Sequence, residues 1–389
     1  MKSWRYLEGL SDLAHRGTGT AGEAAAAERI GTWLKKLGYA VEVQQFRTPR
    51  DTLYLGPSVV LAGFAAAAIL GRRWPLLGVL LCVLLLIPMV GELLGSSRFD
   101  FDLVLPTYRS QNVVARPART DGRKRRLIIS AHYDTQRASM LFHPKVAPHL
   151  QLYFTTVYGL LALAPVLLIV RWAAPAVAWV PPVLVVLAVL LGINVLFLLF
   201  CRFTGGYING ANDNGTGTAL ALALAEQFAS LPLPGVELWI LLTGAEEVGT
   251  RGMKHFIANT DLGDTETFFI NLDNIGGGTL HYLLGEGMLA FRPYGASLTG
   301  IAGKMAAEHA GKVRQKRNLL LPTDGLVPML AGHEAISFLA FDEDGSLPNY
   351  HWYTDTIEKI DRDLLAFTEE FLDQYIRRVA DLSARSETA

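Results

Sequence analysis

Cysteine is almost missing from this chain: Cys82 and Cys201 are the only two in 389 residues, and both lie in or at the end of apolar runs. That excludes a disulfide framework and a thiolate zinc site. Charge is also scarce. Only 18% of residues are Asp, Glu, Lys or Arg and the net charge is −1, so no global field recruits nucleic acid or an acidic partner. The one basic cluster, Arg123 to Arg126 after Asp121-Gly122, reads as a solvated hairpin tip. The opening stretch, MKSWRYLEGLSDLAHRG, lacks an apolar core of signal-peptide length, so whatever inserts the chain into lipid is expected further in. A hydrophobic fraction of 51% and a mean hydropathy of +0.27 exceed what a water-soluble enzyme carries. Part of the chain is expected to sit in a bilayer.

The apolar residues are concentrated in four runs. Residues 53–70 carry no charge, Arg72 and Arg73 make a basic turn, and 74–94 is apolar again apart from Glu92. A second pair, 152–170 and 178–200, is separated by Arg171, Trp172 and prolines. Each run approaches the roughly 20 residues that a helix needs to cross the hydrocarbon core. Buried core helices would give similar runs, but four of near-spanning length, paired about Arg-bearing turns, favour two membrane hairpins at 53–95 and 152–201. Asn194 in the fourth run is assigned to helix packing.

What remains, residues 1–52, 108–150 and 203–389, alternates helical and strand patterns. Ala24, Ala27, Ile30, Trp33, Leu34 and Leu37 keep helical spacing before Gly38, and 39–46 alternates Val41 and Val43 with Glu42 and Gln44 as a half-buried strand would. Strands are expected at 111–116, 126–130, 236–242, 268–272, 279–284 and 335–341. Helices are expected at 217–228, 252–258, 294–309 and 362–382. Such alternation implies an α/β fold with a mixed, largely parallel sheet sandwiched by helices. Ligands of such sheets gather beyond the carboxyl ends of the strands, where His132, Glu246, Glu247 and Asp273 all fall.

The organising stretch is GANDNGTG, residues 210–217, which sets Asp213 in a turn before a helix. Alone, an Asp there is a turn former or an N-cap. His132 or His351 alone is an ordinary hydrogen-bonded histidine, Asp273 a strand-end cap and Glu246-Glu247 a solvated pair. Together they supply imidazole nitrogens and carboxylate oxygens, the donors zinc takes when thiolate is missing, in a number suited to two ions sharing one carboxylate. Neighbouring Glu246 and Glu247 diverge in extended backbone. One of them faces the ions, and the other is free to act as general base.

The order His132-x-Asp134, G-x-x-D-N-x-x-G, Glu246-Glu247, Asp273 and a late His351 resembles the zinc aminopeptidases of peptidase family M28. The resemblance implies a zinc-exopeptidase-like fold with two Zn2+ ions, one held by His132, Asp213 and Asp273 and the other by Asp213, Glu247 and His351. It makes Glu246 the general base that draws a proton from a water between the ions, and places Asp134 behind the ligands, shaping their surroundings. Thr323-Asp324-Gly325 corresponds to the family's SDH-type segment, with Asp324 matching and Gly325 in place of the His. Zinc is preferred to manganese or cobalt on donor type and resemblance. Asp355 is a supporting residue. His143, His149, His255, His281 and His333 lack partner motifs and are structural or solvated.

The expected function is therefore a membrane-embedded di-zinc aminopeptidase that removes N-terminal residues from peptides. The alternatives are a glutaminyl cyclase-like acyltransferase with one zinc, or a catalytically silent membrane scaffold. The second hairpin interrupts the chain between His132 and Asp213, which suggests an active-site mouth bordering the bilayer and membrane-associated peptide substrates. The expected partners are thus peptides and the lipid bilayer, with no nucleic acid. Arg47, Arg50, Arg98, Lys145 and Arg202 outnumber the tip residues Arg72, Arg73 and Arg171, so the positive-inside rule leans towards a multi-pass protein with a cytoplasmic peptidase domain.

Overall fold

A strand covered on both faces reads as a near-continuous apolar run instead of an alternation, and residues 127–129 and 238–242 read that way. The structure, a computed structural model, describes residues 1–93, 105–118, 125–287, 290–319 and 321–385. In chain order its elements are α1 (Lys2–Ser11), α2 (Ala21–Lys36), β1 (Tyr39–Pro49), α3 (Thr52–Gly71), α4 (Pro75–Leu93), β2 (Thr107–Pro117) and β3 (Arg125–His132). Next come α5 (Leu150–Ala173), α6 (Val180–Thr204), α7 (Gly217–Ser230), β4 (Val236–Thr243), α8 (Arg251–Asn259) and β5 (Glu266–Leu272). The chain closes with β6 (Thr279–Glu286), β7 (Arg292–Pro293), α9 (Ala296–Glu308), β8 (Val313–Asn318), α10 (Leu326–Leu330), β9 (Glu334–Phe341) and α11 (Arg362–Arg385). Contacts divide the chain into two units: Met1–Arg50, Tyr108–Ala138 and Tyr207–Ala389, and then Asp51–Thr107 with Ser139–Gly206.

The first unit is an α/β fold around one sheet of order β1-β2-β4-β3-β5-β9-β6-β7, with β8 added on β6. Its centre is parallel: β3 pairs with β4 and β5, and β5 with β9. Antiparallel β2 and β6 flank it. Side chains alternate between the two faces of a strand. Leu127 and Ile129 of β3 accordingly join the core under α1, α2, α7, α9 and α11, while Ile128 joins the one with Met253 and Phe256 of α8. Register brings the strand ends level. His132 lies opposite Thr243 and Ser130 opposite Asn271, so Asp273 stands as far past Asn271 as His132 past Ser130.

Four departures from the sequence pattern have local causes. Val43 is 47% exposed, because β1 lies at the end of the sheet and its neighbour β2 is its one pairing partner on that path. Helix α1 lies in a segment with no expected element, and it buries Tyr6, Leu7 and Leu10 at helical spacing. Strand β8, VRQKRN, has no apolar alternation and is held by its ladder to β6. Arg126 is not a solvated tip. It is buried, pairs with Glu237 at 3.2 Å, donates to the Leu262 carbonyl at 2.8 Å and covers the Trp239 ring. The β3–β4 ladder sets Arg126 directly opposite Glu237, the kind of opposite-charge cross-strand pair that stabilises sheets. Arg123, Lys124 and Arg98 lie outside the described residues.

The second unit contains α3 to α6. Leu61, Phe64, Leu168, Leu184 and Leu191 pack inside it, while Leu152 and Leu196 are 67% and 69% exposed. Close helix approach relies on small residues: a Cβ at Gly78 would come within 2.8 Å of the Ala67 carbonyl, and one at Gly71 within 2.1 Å of Leu168. Asn194 donates to the Leu190 carbonyl of its own helix at 2.9 Å, so its amide is satisfied locally. At the ends of α3 and α6 the Arg202 guanidinium grips both oxygens of Asp51, at 2.6 and 2.8 Å. Among the described residues, three helices, Thr52–Gly71, Ala147–Ala173 and Val180–Thr204, are long and apolar enough to cross a membrane, and α4 contributes the apolar stretch Pro75–Ile87.

Candidate metal centre

Gly210, at φ +68°, opens the segment that carries Asp213; a Cβ there would meet Thr135 Cγ2 at 2.3 Å and the Asp213 carbonyl at 2.4 Å. Only glycine combines that backbone with that approach. The Asp213–Asn214 peptide bond is cis. Asn212 Oδ1 accepts from the Gly276 amide at 2.6 Å, and Asn214 Nδ2 donates to the Leu272 carbonyl at 2.8 Å. Thr216 Oγ1 donates to the Asn212 carbonyl and accepts from the Ile275 amide. The polar residues that make the segment look like a loop thus fasten it to the end of β5. Asp355 holds it from another side, accepting the Asn212 amide at 2.6 Å and the Asp213 amide at 3.0 Å.

The result is a shared carboxylate. His132 Nε2 lies 3.3 Å from Asp213 Oδ1 and 3.4 Å from Asp273 Oδ1. His351 Nε2 lies 3.0 Å from Asp213 Oδ2 and 2.9 Å from Glu247 Oε2. Two groups of potential ligands, His132-Asp213-Asp273 and Asp213-Glu247-His351, each keep their atoms within 4.8 Å of one another. Asp213 belongs to both and turns one oxygen to each histidine.

Asp134 acts on main-chain amides next to the ligands. Its Oδ1 accepts the Glu246 amide at 3.0 Å, and its Oδ2 accepts the Glu247 amide at 3.3 Å and the Thr18 hydroxyl at 2.8 Å. It therefore fixes the turn bearing both glutamates, and its Oδ1 also lies 3.5 Å from His132 Nδ1. Glu246 Oε2 is 3.9 Å from His132 Nε2. All seven residues singled out in the sequence lie in this one cluster.

Its electrostatics follow from burial. Desolvation disfavours the charged form of a carboxyl group and pushes Glu247, Asp324 and Asp355 each up to about 7. Glu246 is held well above the usual carboxylate range, first by burial and then by the charges of Asp324, Asp273 and Glu247 against the pull of His132. Burial works against the imidazolium too, yet Glu247 and Asp213 raise His351 to about 10, and Glu246, Asp134, Asp213 and Asp273 raise His132. Asp213 lies below the ordinary range because the two histidines outweigh its burial. The cluster attracts cations. Glu247 Oε1 and Asp324 Oδ1 are buried oxygens without a hydrogen-bond partner among the described residues, and a donor set of nitrogen and oxygen without sulfur suits zinc.

Residues 197–376 match Peptidase family M28. The matched part is similar to M28 peptidase sequences. It contains Asp213, Glu246, Glu247, Asp273 and His351, whereas His132 and Asp134 precede it and reach the same cluster through β3. No curated protein matches the chain significantly in sequence. Among solved structures, the chain is similar to BSAP, a zinc aminopeptidase from Bacillus subtilis, at 15% identity and TM-score 0.57 over 97% of this chain and 94% of that one. It is equally similar to the glutaminyl cyclase of Porphyromonas gingivalis, at 14% identity and TM-score 0.57 over 97% of each chain. A leucine aminopeptidase precursor from Bacteroides thetaiotaomicron gives 16% identity and TM-score 0.54 over 97% and 96%. These likenesses establish the fold, a mixed α/β architecture with a largely parallel sheet.

Two neighbours of the cluster add to what the motifs mark. Tyr350 stacks on the His351 ring at 3.7 Å between centroids and holds its plane; its place beside His351 is the one hint in the sequence. Gly325 has no room for a side chain: a Cβ would lie 2.2 Å from Ser337 Oγ and 2.5 Å from the Tyr294 hydroxyl. Tyr294, Thr323 and Ser337 instead donate to the buried carboxylate of Glu286. The neighbouring Asp324 accepts the Thr243 hydroxyl.

Proposed function

We propose that the protein is a membrane-anchored aminopeptidase with two zinc ions, His132, Asp213 and Asp273 holding one and Asp213, Glu247 and His351 the other. The observation that carries this reading is Asp213 itself, buried and shared between the two three-residue groups. Bound zinc would supply Lewis-acid polarisation of a peptide carbonyl and acidification of water. Glu246, 3.9 Å from His132 Nε2, would in its ionised form take a proton from the attacking water and return it to the leaving amine. Asp134 keeps Glu246 and Glu247 in place through their main-chain amides. The carboxylates around the cluster favour a cationic amino terminus over an interior peptide bond, which supports exopeptidase action.

The apolar unit is the anchor, with Leu152, Leu196, Val186 and Ile193 turned outwards as lipid-facing residues are. The reading makes the protein multi-pass, with its peptidase unit on the cytoplasmic side by the balance of Arg and Lys, and its substrates peptides presented at the membrane. Protease protection of tags at both ends in intact cells tests the sidedness.

The enzymatic test combines metal analysis of the full-length protein in detergent with an aminoacyl-substrate screen of wild type and Glu246→Gln. Both proteins are expected to carry two equivalents of zinc, and the variant to turn over about 10²–10⁴-fold more slowly. One equivalent with cyclisation of N-terminal glutamine would replace this reading with a glutaminyl cyclase-like one. Equal inertness of the two proteins would leave a scaffold.

A further inference from the structure

Among the described residues, the largest fully buried side chain outside the motifs is Arg16, which has no exposed surface. Its guanidinium donates through Nε to the Tyr133 carbonyl at 2.6 Å, through Nη1 to Asn209 at 2.7 Å and through Nη2 to Gly210 at 2.7 Å. Its main-chain amide donates to Thr135 Oγ1 at 3.0 Å. Tyr133 stands between His132 and Asp134, and Gly210 opens the segment of Asp213. One planar group therefore spans the two stretches of chain that bring a histidine and the shared aspartate together.

We infer that Arg16 is a positioning residue of the metal centre, a clamp on the main chain that sets the distance between His132 and Asp213 and hence the spacing of the two ion positions. The inference rests on the two-ion reading above. Its argument is one of competing costs. A permanent cation beneath a site for two divalent ions repels them, and burying it without a carboxylate partner is unfavourable. The charges of Asp355, Asp134, Asp213 and Glu247 act on it, yet among the described residues none lies within ion-pair distance, and all its hydrogen bonds go to carbonyl oxygens. A fixed fork of N–H donors holds three carbonyls at set angles, as a single ammonium does not.

The surroundings fit a clamp. Gly17 bridges to Thr135, and a Cβ on it would run into the Tyr207 ring at 2.3 Å. Thr18 donates to Asp134. Glu23 accepts from Ser110 and from the Gly19 amide. Gly17 and Thr18 thus reach the stretch that bears His132, and of these contacts those of the Arg16 guanidinium alone bond to both ligand-bearing segments.

The test uses the full-length chain in detergent, stripped with a chelator and titrated back with zinc against a competing chelator. Cobalt(II) spectra follow the ligand field. Arg16→Lys keeps the charge and loses the fork, while Arg16→Met loses both. Both variants are expected to bind at least one ion about 10–100-fold more weakly than wild type, with an altered cobalt spectrum. Tighter binding by Arg16→Met would show that repulsion dominates and would overturn the inference. So would unchanged zinc affinity with a lowered melting temperature, or failure of both variants to fold, since either assigns Arg16 to the fold alone. If wild type itself binds fewer than two ions, the two-ion reading fails first, and the variants are not needed to show it.

Discussion

Helices α7 and α6 are both apolar around their whole circumference, yet they meet different surroundings. In α7, Leu220, Leu222 and Leu224 are all buried among the sheet and its covering helices. In α6, Leu184, Leu187 and Leu191 are buried while Val186, Ile193 and Leu196 face outwards. Residue type does not separate the two; length does. At 1.5 Å per residue, the 14 residues of α7 fall short of a hydrocarbon core of about 30 Å, whereas the 25 of α6 exceed it. A short helix without a polar face has to be wrapped by protein, and a long one can leave part of itself to lipid.

Placing a charge at equivalent leucines breaks the comparison most sharply. Leu222→Lys buries an unpaired ammonium against the sheet and is expected to prevent folding of the α/β unit, because the cost is comparable with a domain's whole stability of about 5–15 kcal/mol. Leu196→Lys is expected to cost about 2.5–3.5 kcal/mol of membrane insertion and to leave zinc content intact. Detergent-phase gel filtration and metal analysis of both variants check this, and a normal yield of Leu222→Lys would contradict it.

Truncation gives a smaller contrast. Leu222→Ala leaves a cavity worth about 2–5 kcal/mol, read as a shift of the denaturant midpoint. Leu196→Ala leaves none and is expected to move that midpoint by less than about 1 kcal/mol, within the range of ordinary surface changes. Equal shifts would mean that Leu196 packs against protein in the assembled state.

A slope with pH is a further contrast, and its titrating groups belong to the α/β unit. Glu23 at about 8, Glu247, Asp324 and Asp355 at about 7 and His351 at about 10 all lie above their unfolded values. Each contributes stability that is full below the unfolded value and is lost as pH rises through the folded one. Asp213, held low, acts in the opposite sense, only in acid. Metal-stripped protein is therefore expected to melt at lower temperature at pH 9 than at pH 6. Saturating zinc is expected to flatten that slope, because the metal replaces the protons. A stripped protein that gains stability from pH 6 to 9 would refute the account.

The same contrast explains what the sequence disclosed. Long uncharged runs mark α3, α5 and α6 within a few residues, because nothing but length and hydropathy is needed. In the α/β unit the strands beneath the cluster were legible from continuous apolar runs, while α1 and β8 were not. Helix α1 carries its core residues amid Lys2, Arg5 and Glu8, and β8 depends on a ladder to β6 that no local pattern encodes. In the site, the motifs single out side chains with metal-ligand chemistry, and the fold does bring them together. Arg16 and Glu23 escaped notice because Arg16 bonds to main-chain carbonyls, and Glu23 to the Ser110 hydroxyl, that lie far off in sequence. The contacts of Thr18 and Tyr350 likewise exist only in three dimensions.

Gly325 sets a condition on redesign. Ser337 Oγ and the Tyr294 hydroxyl already occupy the volume that the first carbon of a side chain would need there. An imidazole introduced at this position meets them before it can reach the cluster, so an engineer who wants one has to shrink or redirect Ser337 or Tyr294 in the same step.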